Sequence, residues 1–90
     1  MKPFRWSPHA LKKLADREIP RAEAEQALAS PEAVAPVHPT RRFFMRRYFD
    51  ARFQQEMLVR ALVEETAQEL VVITVCITSK VDKYMEKGAT

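Results

Sequence analysis

From Arg41 onward the apolar residues of this chain fall largely on alternate positions, whereas before Arg41 they recur every three or four. That switch constrains the fold more than any other feature. A period of 3.6 builds helices with one buried stripe, and a period of two builds strands with one buried face. The sequence therefore predicts an α+β fold: two N-terminal helices packed on one face of a three- to four-stranded antiparallel sheet, closed by a short C-terminal helical turn. Ninety residues supply one core of this kind, so residues 1–90 are expected to form a single domain.

Ser7 followed by Pro8 is a helix start, with serine as N-cap and proline in the first turn. Leu11, Leu14 and Ala15 then form the expected buried stripe, completed from the flanks by Phe4, Trp6 and Ile19. Pro20 restarts a helix in which Ala24, Ala27 and Leu28 share a face, and Pro31 ends it. Between Pro31 and Pro39, the segment Ala33 to His38 reads as an edge strand or an extended linker, because proline cannot donate to a central ladder.

Strands are expected at about 42–52, 56–64 and 69–79, with turns near 53–55 and 65–68. Odd positions are mostly apolar: Phe43, Met45, Phe49 and Ala51; Met57, Val59, Ala61 and Val63; Val71, Ile73, Val75 and Ile77. These are expected against the helices. Val81, Tyr84 and Met85 then keep helical spacing and predict the final turn.

Even positions would form the other face, holding Arg42, Phe44, Arg46 and Tyr48, then Arg60, then Thr78 and Lys80. Guanidinium groups pair with phosphate oxygens in bidentate fashion, and aromatic rings offer surfaces on which bases stack. Residues 40–60 contain six arginines against Asp50 and Glu56, a larger positive excess than the +3 of the whole chain. Two readings of this face stay open: a polyanion-binding site, or a solvated surface with arginine for solubility.

Other residues exclude or add chemistry. With one cysteine, Cys76, and two histidines, neither an internal disulfide nor a zinc site is expected, and no metal or other cofactor is implied. A single glycine rules out phosphate-cradling glycine loops. The apolar run at residues 70–77 is far below the ~20 residues of a membrane span, and the N-terminus lacks a secretory apolar stretch, so a cytoplasmic chain without a membrane partner is expected. His9, in the first turn of a helix, reads either as a neutral proton acceptor or as a plain surface residue. Thr78-Ser79-Lys80 reads either as a phosphate contact or as a cap for the helical turn that follows.

The pattern Ser7-x-His9-Ala10-x-x-x-Leu14, then Arg17-Glu18-Ile19, an acidic helix ending in Pro31, and valine-rich strands closing with Thr78-Ser79-Lys80 and Tyr84-Met85 resembles a bacterial domain-of-unknown-function family. That family is grouped with RelE/ParE-like toxins of the barnase–EndoU–colicin–RelE fold. The resemblance implies a sheet face that meets RNA or the ribosome, metal-independent cleavage by attack of the ribose 2′-OH, and an acidic antitoxin-like partner. Under that expectation Arg42, Arg46 and Arg60 stabilise charge, and His9 or Tyr84 moves the proton. Phe44, Tyr48, Thr78 and Lys80 would contact RNA. The alternative is a non-catalytic module binding RNA, the ribosome or a protein on the same face.

Overall fold

The computed structural model describes the backbone of residues 2–89 and the side chains of residues 2–85. Its elements run β1 (Phe4–Trp6), α1 (Pro8–Asp16), α2 (Arg21–Ala29), β2 (Ala33–His38), β3 (Arg41–Asp50), β4 (Gln55–Glu65), β5 (Leu70–Thr78) and α3 (Val81–Ala89). The fold is thus α+β, with five strands rather than three or four and a third helix in place of a short turn.

Ser7 starts α1 as its chemistry requires. Its Oγ accepts from the Ala10 N–H at 3.0 Å and donates to the Ile73 carbonyl at 3.1 Å, tying the helix start to β5. The buried stripe of α1 is Ala10 and Leu14, not the expected Leu11, Leu14 and Ala15. Leu11 is 41% exposed because the helix is rotated to bring the small Ala10 onto the sheet. The helix ends in a left-handed residue, Glu18, at φ 50°. There the Glu18 N–H donates to Ala15 O and the Ile19 N–H to Leu14 O, a Schellman ending that delivers Ile19 into the core. In α2 the face formed by Ala24, Ala27 and Leu28 is buried as the sequence predicts.

The sheet order is β1-β5-β4-β3-β2. Strands β2 to β5 pair antiparallel, but β1 lies parallel to β5 (Phe4 opposite Leu70), so the sheet is mixed rather than purely antiparallel. Segment 33–38 is an edge strand, as its prolines allow.

Register decides which residues meet. The turn at 51–54 sets Asp50 opposite Gln55, so odd residues of β4 stand beside even residues of β3. Met57, Val59, Ala61 and Val63 do face α1 and α2, but from β3 their companions are Phe44 and Tyr48, not Phe43, Met45 and Phe49. Ala51 lies in the turn itself. In β5 a bulge intervenes: Ala61 pairs with Val75 but Val63 with Val72. The extra residue reverses the alternation, so Leu70 and Val72 join Val75 in this core and replace the expected Val71 and Ile73.

The opposite face is not open. α3 lies across it, and Val81, Tyr84 and Met85 pack with Met45, Leu58, Phe43, Ala33 and Ala35 in a second apolar cluster. Helices therefore cover both faces, where the sequence suggested one. Among the described residues no helix is long and apolar enough to cross a membrane.

Candidate nucleic-acid interface

The same register separates the arginines that the sequence grouped together. Arg42 and Arg46 stand opposite Val63 and Val59, on the face of α1 and α2, while Arg60 stands opposite Met45 on the face of α3. The three guanidiniums do not form one cationic hollow.

Most cations of residues 40–60 already have partners. Arg41 Nε donates to Glu64 at 2.7 Å, and Arg42 Nη2 donates to Glu65 at 2.9 Å. Arg46 Nη1 donates to the Ser30 carbonyl at 2.8 Å. Arg47 grips Glu32 with Nε at 3.2 Å, Nη2 at 3.1 Å and its backbone N–H at 2.7 Å. The side-chain bonds from Arg47, then its backbone N–H, hold the Glu32 carboxyl below the usual range. Glu65 is lowered chiefly by its hydrogen bond from Lys2. Arg52 lies against Asp50 at 3.3 Å and Glu18 at 3.5 Å.

Arg60 differs. Its guanidinium carbon lies 4.1 Å from the Phe43 ring centroid and 3.9 Å from that of Tyr84. Among the described residues its buried Nε has no hydrogen-bond acceptor, and no acid forms an ion pair with Arg60. Phe43 reaches it as a diagonal cross-strand neighbour, since Phe43 pairs with Leu62 and Met45 with Arg60. Tyr84, the fourth residue of α3, reaches it from the helix that lies across this face. Half-buried Cys76 is opposite Arg60 on β5. Lys83 Nζ lies 5.4 Å from the Tyr84 centroid, adding positive charge beside the stack.

The remaining expected site residues are distributed as follows. Phe44 and Tyr48 are buried in the first core, so neither offers a ring on which a base could stack. Thr78 Oγ1 accepts from the Lys80 N–H at 3.1 Å, so the Thr78-Ser79-Lys80 run turns the chain into α3. The Lys80 side chain remains exposed. His9 is exposed on α1, across the sheet from Arg60 and Tyr84. Of the expected catalytic set, the fold brings together Arg60 and Tyr84 and leaves His9, Arg42 and Arg46 elsewhere.

Two features escaped sequence reasoning. Parity puts Phe43 in the helix-side core, and only strand register moves it to Arg60. The buried Tyr48–Asp50 pair carried a legible signal, because residues i and i+2 of one strand share a face. No group of three or more histidine, cysteine or acidic side chains among the described residues is placed to hold a metal ion.

Fold and site together define a small α+β chain with an aromatic-flanked arginine under its last helix. Residues 6–77 match the family described as Domain of unknown function (DUF4258), and the chain belongs to that family. No curated protein and no solved structure matches it.

Proposed function

We propose that this chain binds RNA on the side of the sheet that carries α3, with Arg60 as the phosphate contact. The observation that carries this reading is the state of Arg60: a cation stacked on two rings, partly withdrawn from water, with a buried Nε and no acid paired with it among the described residues. Such a group gains most from an anion, and guanidinium N–H groups suit paired phosphate oxygens. Lys80 and Lys83 extend the positive surface, and Tyr84 supplies an aromatic ring at its edge. The resemblance to RelE/ParE-like domains implies an RNA site on the sheet face turned away from the two N-terminal helices, the side across which α3 lies.

Fluorescence anisotropy of labelled single-stranded RNA, run in EDTA, tests the proposal. Binding should weaken steeply as salt rises, and Arg60→Ala should lose about tenfold or more in affinity. Unchanged binding by Arg60→Ala would remove the basis of the reading. An acidic protein segment that displaced the RNA would identify the antitoxin-like partner expected from the resemblance.

A second reading, metal-independent endoribonuclease, is favoured by one observation: Arg60 and Tyr84 are in contact. In that reading the ribose 2′-OH attacks the adjacent phosphorus, the bond to the 5′-oxygen breaks, and a 2′,3′-cyclic phosphate remains. Arg60 stabilises the phosphorane charge, Tyr84 gives its phenolic proton to the departing 5′-oxygen, and solvent takes the 2′-OH proton and restores the phenol. Cleavage products in EDTA that vanish with Tyr84→Phe would establish it. Binding without products leaves the first reading in place.

A further inference from the structure

At the end of the sheet where β3 turns into β4, a cleft of about 380 Å³ is lined by Glu18, Ile19 and Pro20 from the α1–α2 connection, Glu23 from α2, and Tyr48 to Arg52 from the hairpin. We propose that this cleft receives a lysine or arginine side chain presented by a basic segment of a partner protein, at a site separate from the Arg60 face.

Its walls have the character such a side chain requires. Ile19, Pro20, Ala51 and the Tyr48 ring supply apolar surface for a methylene stem, and Glu18 and Glu23 in the same lining supply carboxylates for its charged head. Three carboxylates line it, those of Glu18, Glu23 and Asp50, against a single guanidinium, Arg52. Asp50 is already saturated, accepting from the Tyr48 hydroxyl, the Arg52 N–H and the Arg52 guanidinium. It forms a fixed floor rather than a ligand.

Glu18 and Glu23 keep their charge available. The Glu18 side chain is 81% exposed and only loosely paired with Arg52, at 3.5 Å. Glu23 has no ion-pair partner among the described residues. The neighbouring cations are committed elsewhere: Arg17 donates to the Val75 carbonyl, and Arg21 bonds Glu25 and lies over the Trp6 ring. On a chain with a net charge of +3, this leaves a locally negative recess that repels phosphate and attracts a cation. Phe49, 63% exposed and in the same lining, extends the apolar surface. Charge complementarity thus selects a basic peptide over a nucleic acid.

The test uses the full chain and a fluorescein-labelled synthetic peptide alternating arginine with glycine, titrated by anisotropy, with the glutamate-for-arginine peptide as control. The arginine peptide should bind and the glutamate peptide should not. The Glu18→Gln/Glu23→Gln double variant should bind the arginine peptide roughly fivefold more weakly, and Glu23→Lys weaker still. Both variants should retain the parent's circular dichroism spectrum and RNA affinity, and Arg60→Ala should retain peptide binding. Absent peptide binding, or binding insensitive to the Glu18 and Glu23 changes, would overturn the proposal. So would loss of RNA affinity in the double variant, because the cleft would then belong to the RNA face.

Discussion

Tyr48 and Asp50 stand two residues apart on one face of β3, and the buried Tyr48 hydroxyl donates to Asp50 Oδ2 at 2.7 Å. Arg52 closes on the same carboxylate from the hairpin turn, with its N–H at 2.8 Å and its Nη2 at 3.3 Å. The Tyr48 hydrogen bond, opposed by burial and reinforced by Arg52, holds Asp50 at a pKa of about 2. Burial first, and then the Asp50 acceptor, push Tyr48 well above the ordinary phenol range. The hairpin end of the sheet is therefore a titration-sensitive joint.

Acid should loosen it. Because Asp50 binds its proton less readily folded than unfolded, its contribution is full above its ordinary value of 3.8 and is lost as pH falls toward about 2. Glu32 and Glu65, also lowered, act in the same direction. Thermal unfolding followed by circular dichroism should show melting temperature dropping between about pH 4 and pH 2, with a shallower drop for Asp50→Asn. An equally steep decline in that variant would show that Asp50 is not the sensor.

Alkali should act through Tyr48. Its folded pKa is raised above the unfolded 10.0, so its contribution is complete below about pH 10 and decreases as pH climbs further. Tyr48→Phe should melt at a lower temperature at pH 7, having lost a buried donor to a carboxylate, and should show a weaker decline above pH 10. The pH profile separates this effect from a simple packing defect.

The second apolar cluster gives a stability prediction. Leu58 is fully buried beneath α3, and Leu58→Ala should cost about 2–5 kcal/mol in denaturant unfolding. Leu11→Ala, at a position 41% exposed, should stay within roughly 0.5 kcal/mol. Equal losses at the two positions would contradict the observed rotation of α1.

Ser7 both caps α1 and donates to Ile73 on β5. Ser7→Ala should destabilise by about 1 kcal/mol, and Ser7→Asp, which retains a capping oxygen but cannot donate, should recover only part of that. Chemical denaturation of the three proteins side by side checks the order.

The arginines give the prediction closest to function. Arg42→Ala and Arg46→Ala should leave RNA affinity nearly unchanged, because Arg42 is held by Glu65 and Arg46 by the Ser30 carbonyl on the far face. Arg60→Lys keeps charge but loses the planar group stacked on Phe43 and Tyr84, and should bind RNA nearly as poorly as Arg60→Ala. Parent-like affinity in Arg60→Lys would mean that charge alone matters.

Local chemistry carried the elements. The Ser7 cap, the Ala24–Ala27–Leu28 face, the proline-marked edge strand at 33–38 and the helical spacing of Val81, Tyr84 and Met85 are all legible from short-range rules. Each depends on residues within one or two turns of chain. The candidate site depended on more. Because β3 bears apolar side chains on both faces, its pattern alone could not say which face met the helices.

What the sequence determined by itself, then, was the order of two helices and then extended segments from Pro8 to Thr78, and that positive charge gathers between residues 40 and 60. Tertiary structure decided which of those charges share a face. The turn at 51–54 set odd residues of β4 beside even residues of β3, and the bulge near Val63 reversed the alternation in β5. A strand's side-chain period is two, so a one-residue change in turn length or register sends every side chain to the other face. That single step parts Arg42 and Arg46 from Arg60, and it gives Arg60 to Phe43 and Tyr84.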